Sequence, residues 1–139
     1  MRAGEEVALI GLGTGVEWCS LAAALLEKEG VDCTVVNARF AKPLDEELLL
    51  NVIGSHRQVV IVEEHQLMGG FGSAVLELCE SKRVDARHVQ RLGLPDSFIP
   101  QAPRPRQLHH VGLTPQHIAQ CVREALGKHQ PVIKREVPR

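Results

Sequence analysis

VALIGLGTGVEWCSLAAALLEKEGVDCTVVNARF, residues 7–40, is the stretch that decides the fold. Val7 to Gly13 are apolar without alternation, the reading of a strand covered on both faces. Residues 15–29 change to a helical period. Val16, Cys19, Ala23 and Leu26 share one side, and Glu27, Lys28 and Glu29 gather at the far end. Gly30 stands where helices commonly finish on a left-handed residue, and DCTVVNARF (32–40) supplies a second strand. Strand, helix and strand joined this closely require a crossover, so the two strands run parallel.

The same unit continues downstream. In KPLDEELLLNVIGSH (42–56) Asp45 suits a helix cap, and Glu46 and Glu47 suit the positive end of the helix dipole. Leu48, Leu49, Val52 and Ile53 form its buried stripe. QVVIVEEH (58–65) reads as a third strand, and MGGFGS (68–73) leads into a helix burying Val75, Leu78 and Cys79. RHVQRLG (87–93) is a more polar, peripheral strand. Leu94 to His110, with Pro95, Pro100, Pro103 and Pro105, predicts an extended surface connection. Thr114 and Pro115 open a last helix as cap and first position. Its inward side is Ile118, Cys121, Val122, Ala125 and Leu126, with Gly127 as its stop. The expectation is a three-layer α/β domain with a mainly parallel sheet of four to five strands over residues 1–127. Residues 128–139 are expected to be a flexible, basic, proline-containing tail with room for one short strand segment.

Composition narrows the function. A chain of 139 residues, 44% hydrophobic and 24% charged, has the makings of one domain with a real core. No apolar run has the length of a membrane span, and the first residues lack the apolar stretch of a signal peptide, so a cytoplasmic protein is expected. The aromatics are Trp18, Phe40, Phe71 and Phe98, too few for a base-stacking platform or a sugar-binding cleft. Residues 1–96 carry a net charge of −6 and residues 97–139 one of +5. Prolines dilute the basic end, so a solvated loop and tail are expected rather than a nucleic-acid arm. Cys19, Cys33, Cys79 and Cys121 lie far apart and form no CxxC pair, which suits buried thiols in a reducing compartment.

Ligands of such folds sit at the carboxyl ends of the strands, so the chemistry is sought there. Gly11-Leu12-Gly13-Thr14-Gly15 approximates a dinucleotide fingerprint, but Val16 occupies the place of its third glycine. The second strand ends Asn37-Ala38-Arg39 without a carboxylate for a ribose, so a tight packing turn is preferred. Glu63, Glu64 and His65 close the third strand, and neighbours on a strand point to opposite faces, so the two carboxylates make no facing dyad. Glu64, His65, Gly69, Gly70, Phe71, Gly72 and Ser73 form a candidate anion-binding or interface turn, since a glycine-rich helix start offers free N–H groups. An internal lock, in which a carboxylate of the chain takes those N–H groups, is the preferred alternative. The seven histidines show no metal-ligand spacing, and no nucleophile triad can be read from residue order.

VALIGLGTG, VVNARFAKPLDEELL, VIVEEHQLMGGFGSAVLE and RLGLPDSFIPQ, taken in this order, resemble the C-terminal domain of the transketolase superfamily over residues 5–127. The last of these tilts the resemblance to the 1-deoxy-D-xylulose-5-phosphate synthase branch. That branch implies a transferase of isoprenoid precursor biosynthesis that uses thiamine diphosphate and Mg²⁺ to join pyruvate and glyceraldehyde 3-phosphate. It also implies that cofactor and catalytic residues belong to upstream domains, in the same gene or in trans. This chain is then a scaffold and homodimerisation module, not catalytic alone, with no catalytic, cofactor-binding or metal residue to carry over. Two alternatives are a regulatory module holding an anionic metabolite at the glycine-rich turn, and a subunit of a split transketolase or 2-oxoacid dehydrogenase. The resemblance further implies a lead-in strand before Gly4, which MRAGEE lacks or shortens. Losing it would leave a sheet edge open to another chain.

Overall fold

Strand β1 (Val7–Leu12) forms the centre of the molecule, and everything else is arranged by what its two edges and two faces accept. Residues 6–128 are described by a computed structural model; the expected tail beyond Lys128 and the shortened lead-in before Gly4 lie outside the described residues. After β1 come α1 (Gly15–Glu27), β2 (Cys33–Asn37), α2 (Glu46–Ser55), β3 (Gln58–Gln66) and α3 (Phe71–Lys82). Then follow β4 (Val89–Leu94), α4 (Arg104–Val111) and α5 (Pro115–Lys128). Among the described residues the sheet has four strands in the order β2-β1-β3-β4, every pair parallel, and the polar β4 lies at an edge of this order as its sequence suggests. The strand order reverses between β1 and β3.

Alternation along the strands splits the core into two layers. Val7, Leu9, Val35, Val60 and Val62 pack under α1 and α5 with Cys19, Leu26, Ile118 and Val122. Ala8, Ile10, Val36, Val59 and Ile61 pack under α2 and α3 with Leu49, Ile53, Phe71 and Val75. Each Val, Leu, Ile or Phe side chain among these contributes about 1.5–3 kcal/mol on burial, which accounts for the continuous apolar runs of β1 and β3. All four cysteines are buried thiols outside any disulfide. Burial pushes the Cys19 thiol up to about 12, with Cys33 nearby adding to the shift, so it stays protonated and inert.

Three local expectations change. Leu94 to His110 is not extended throughout: its second half is the helix α4. Pro103 occupies the N-cap with extended backbone, and Pro105 falls in the first turn, where a missing N–H costs nothing. The second strand ends at Asn37 rather than Phe40, because Arg39 turns to a φ of 60° and donates its N–H to Asn37 Oδ1 at 2.9 Å. Gly127 does not stop the last helix, which runs on to Lys128. At the start of that helix Thr114 caps as expected, its Oγ1 accepting from the His117 N–H at 3.2 Å.

Candidate functional site

Because all four strands run parallel, their carboxyl ends share one end of the sheet, and the turns singled out in the sequence meet there. The β1–α1 turn is built for close packing. A Cβ on Gly11 would lie 2.5 Å from the Val16 nitrogen, and one on Gly15 would collide with the Val62 carbonyl oxygen on β3. These glycines bring α1 down onto the sheet, so the packing turn is the observed one.

Glu63 and Glu64 diverge as strand alternation requires. Glu63 is only 1% exposed and turns toward the start of α3, where its carboxylate accepts from Phe71 N at 2.7 Å and Gly72 N at 3.3 Å. A buried carboxylate is tolerable here because two donors and the positive end of the helix face it. Gly70 fits because a Cβ there would strike the Gln66 carbonyl and sit 2.6 Å from Glu63 Oε1. The turn is held from its other side by Arg91 on β4. Its Nη1 donates to the Leu67 carbonyl at 3.0 Å and to Ser73 Oγ at 2.9 Å, while Ser73 Oγ donates to the Leu67 carbonyl at 2.7 Å. The Arg91 stem lies over Gly72, leaving no room for a side chain.

Glu64 points the other way, into the crevice between β1 and β3. It accepts from Thr14 Oγ1 at 2.8 Å and from Arg104 Nε and Nη2 at 3.0 and 2.6 Å. The Arg104 guanidinium holds the Glu64 carboxyl below its usual range, against a smaller opposing effect of burial, and the Thr14 hydroxyl adds to the lowering. The place where strand order reverses, the usual ligand crevice of an open α/β sheet, is thus spanned by a bidentate ion pair.

The structure brings Glu64, His65, Gly69, Gly70, Phe71, Gly72 and Ser73 into one neighbourhood, with unequal roles. Phe71 is buried in the α2–α3 layer, Gly69 takes a φ of 72°, and His65 and Met68 face solvent. Thr14, Arg91 and Arg104 complete the network, and no sequence motif marks them as part of it. His109 and His110 lie in the last turn of α4. Among the described residues no three His, Cys, Asp or Glu side chains gather to hold a metal ion. The N–H groups of Phe71 and Gly72 already face Glu63, so this glycine-rich turn does not fit a diphosphate with its Mg²⁺.

The family described as "Transketolase, C-terminal domain" matches residues 1–118. A 1-deoxy-D-xylulose-5-phosphate synthase of Symbiobacterium thermophilum is 50% identical over 120 residues, which is 86% of this chain and 18% of the relative. That of Gloeobacter violaceus is 48% identical over 127 residues, 91% of this chain and 20% of the relative. The chain therefore spans about a fifth of the length of these relatives. Among solved structures, a split-gene transketolase described as an inactive beta4 tetramer superposes with a TM-score of 0.81 at 32% identity, covering 91% of this chain and 41% of that one. A transketolase of Pichia stipitis superposes with a TM-score of 0.65 at 20% identity, covering 93% of this chain and 17% of that one, a likeness of fold alone.

Proposed function

Since this chain belongs to the transketolase C-terminal-domain family, we propose that it serves as the structural and self-associating C-terminal domain of a 1-deoxy-D-xylulose-5-phosphate synthase. Such an enzyme joins pyruvate to glyceraldehyde 3-phosphate in the cytoplasm with thiamine diphosphate and Mg²⁺. The observation that carries the reading is the 50% identity to such a synthase over 86% of the chain. The geometry agrees with a buttressing role. The carboxyl ends of the strands, where α/β domains usually place their chemistry, are tied up internally by Glu63, Arg91 and the Glu64–Arg104 pair. Upstream thiamine-diphosphate-binding domains, in the same polypeptide or in trans, would supply the cofactor and the catalytic groups. The split-gene neighbour favours the in-trans arrangement as a second reading.

A regulatory site for an anionic metabolite at the glycine-rich turn is less well supported, because the anion would have to displace the buried Glu63 carboxylate from two N–H donors. The test is an assay of the chain alone with thiamine diphosphate, Mg²⁺, pyruvate and glyceraldehyde 3-phosphate, beside calorimetric titration with sugar phosphates and nucleotides. No turnover and no heat of binding are expected. Turnover by the isolated chain would overturn the structural reading, and saturable binding lost in Gly70→Asp would favour the regulatory one.

A further inference from the structure

We propose that a cavity at the amino ends of β3 and β4, at the opposite end of the sheet from the crevice described above, binds a small uncharged nucleoside-type ligand, with its base edge on Gln58 and its sugar hydroxyls on Glu124. The cavity, of about 540 Å³, lies between the start of those strands and α5 and has the size of a small-molecule site. Its floor is Gln58, the first residue of β3. Alternation puts Gln58 on the same face as Val60 and Val62, which pack under α1 and α5, so its side chain enters the α5 layer. Gln58 is only 5% exposed, yet among the described residues its carboxamide has no hydrogen-bond partner. Among the same residues no fully enclosed side-chain nitrogen or oxygen lacks a partner, so the accessible part of Gln58 is its amide, and it opens into the cavity. A buried amide without a partner costs stability, and an apolar residue would continue the run of β3, so packing does not account for this glutamine.

Most other polar groups around the cavity are engaged within the chain. Arg87 Nε and Nη2 donate to Asp85 Oδ1 and Oδ2 at 3.0 and 2.8 Å, and His88 Nε2–H donates to the Ile53 carbonyl at 2.7 Å. Gln90 faces the Cys121 thiol. Burial and the Glu124 charge push that thiol up, so the sulfur stays protonated and the cavity binds rather than reacts. Glu124 Oε1 accepts from Gln120 Nε2 at 3.2 Å, and its Oε2 has no donor among the described residues. The groups that remain to face a ligand are chiefly a carboxamide in the floor and a carboxylate oxygen at the rim, with Val89 and Ala125 as apolar wall.

These groups select the occupant. A carboxamide makes two hydrogen bonds to an edge that sets an N–H donor beside an acceptor, as Gln does with adenine. A carboxylate oxygen accepts from hydroxyls, as acidic residues do with a ribose. Charge disfavours a phosphate: Glu124 is anionic, and the Arg87 guanidinium at the rim is already neutralised by Asp85. Val89 and Ala125 offer no ring for stacking, so binding is weak.

The test titrates the full 139-residue chain with adenosine up to about 10 mM, following side-chain and backbone amides by NMR. The Gln58 side-chain amide and the Val89 and Ala125 backbone amides should shift together and saturate with a dissociation constant of about 1 mM. Gln58→Leu should weaken binding by about tenfold or more without lowering the thermal midpoint, since the amide makes no bond within the described chain. Ala125→Leu fills the cavity from α5 and leaves Gln58 in place. It should weaken binding equally, and it carries the test if Gln58→Leu does not fold. Glu124→Gln should weaken adenosine about threefold and leave free adenine unchanged. Adenosine 5′-monophosphate should bind about tenfold more weakly than adenosine. No saturable shift at these residues, as when water alone fills the cavity, overturns the proposal. So does binding that survives both Gln58→Leu and Ala125→Leu, which would put the nucleoside elsewhere. A monophosphate bound as tightly as adenosine overturns the uncharged ligand class.

Discussion

Replacing Glu63 by Ala removes the acceptor that closes the glycine-rich turn. The carboxylate is 1% exposed and takes Phe71 N at 2.7 Å and Gly72 N at 3.3 Å. Two buried N–H groups left unsatisfied cost about 1–3 kcal/mol each, and the lost interaction with the start of α3 adds up to about 2 kcal/mol. Relief from burying a carboxylate offsets part of this, for a net loss of about 3 kcal/mol. Glu63→Gln keeps one acceptor oxygen and the side-chain volume but loses the charge, so about half that loss is expected. With a urea slope of about 1.5 kcal/mol per molar, suited to a chain of this size, the midpoint should fall by about 2 M for Ala and about 1 M for Gln. Equilibrium urea unfolding followed by circular dichroism reads both. A shift below about 0.3 M for Glu63→Ala, with the slope unchanged, would refute the idea that Glu63 locks strand end to helix start.

Gly15→Ala places a methyl against the Val62 carbonyl and must push α1 off β3, so a loss of about 2 kcal/mol or more is expected on denaturation. Ile61→Ala, in the central strand β3 and fully buried, should cost about 2–5 kcal/mol, and a loss below about 1 kcal/mol would contradict its place in the core. Arg104→Ala should lower the urea midpoint at pH 7 by far less than either Glu63 change, because the pair is open to solvent and salt. Glu64 has a folded-state pKa below its unfolded value, so the pair's contribution is present above the unfolded pKa and lost as pH falls through the folded one. The difference between wild type and Arg104→Ala should therefore vanish in acid and shrink in high salt. A difference that persists after Glu64 is protonated would mean that Arg104 acts through something else.

The sheet is legible in the sequence because β1, β2 and β3 are covered on both faces, and such strands announce themselves as unbroken apolar runs. The divergence of Glu63 and Glu64 follows from strand alternation, and the preference for an internal lock from the free N–H groups of a glycine-rich helix start. Which carboxylate enters the lock is not legible, because that depends on the side of the sheet to which α3 returns. Arg104 escapes a sequence reading for a related reason: its partner is forty residues away along the chain. The prolines of the segment that carries it point to extended backbone, and α4 has eight residues and buries none, so no apolar period marks it. Arg91 is hidden within a strand whose polarity indicates only an edge. Its stem packs on Gly72 and its guanidinium reaches Ser73, a role set by tertiary approach rather than local pattern.

The most direct measurement fuses this chain to the upstream part of the Symbiobacterium thermophilum synthase in place of the segment it matches, and follows formation of 1-deoxy-D-xylulose 5-phosphate. The truncated upstream part and the 139-residue chain should each be silent, and the fusion should turn over with thiamine diphosphate and Mg²⁺. A folded but inactive fusion, or turnover by this chain alone, would contradict the assignment of a structural C-terminal domain.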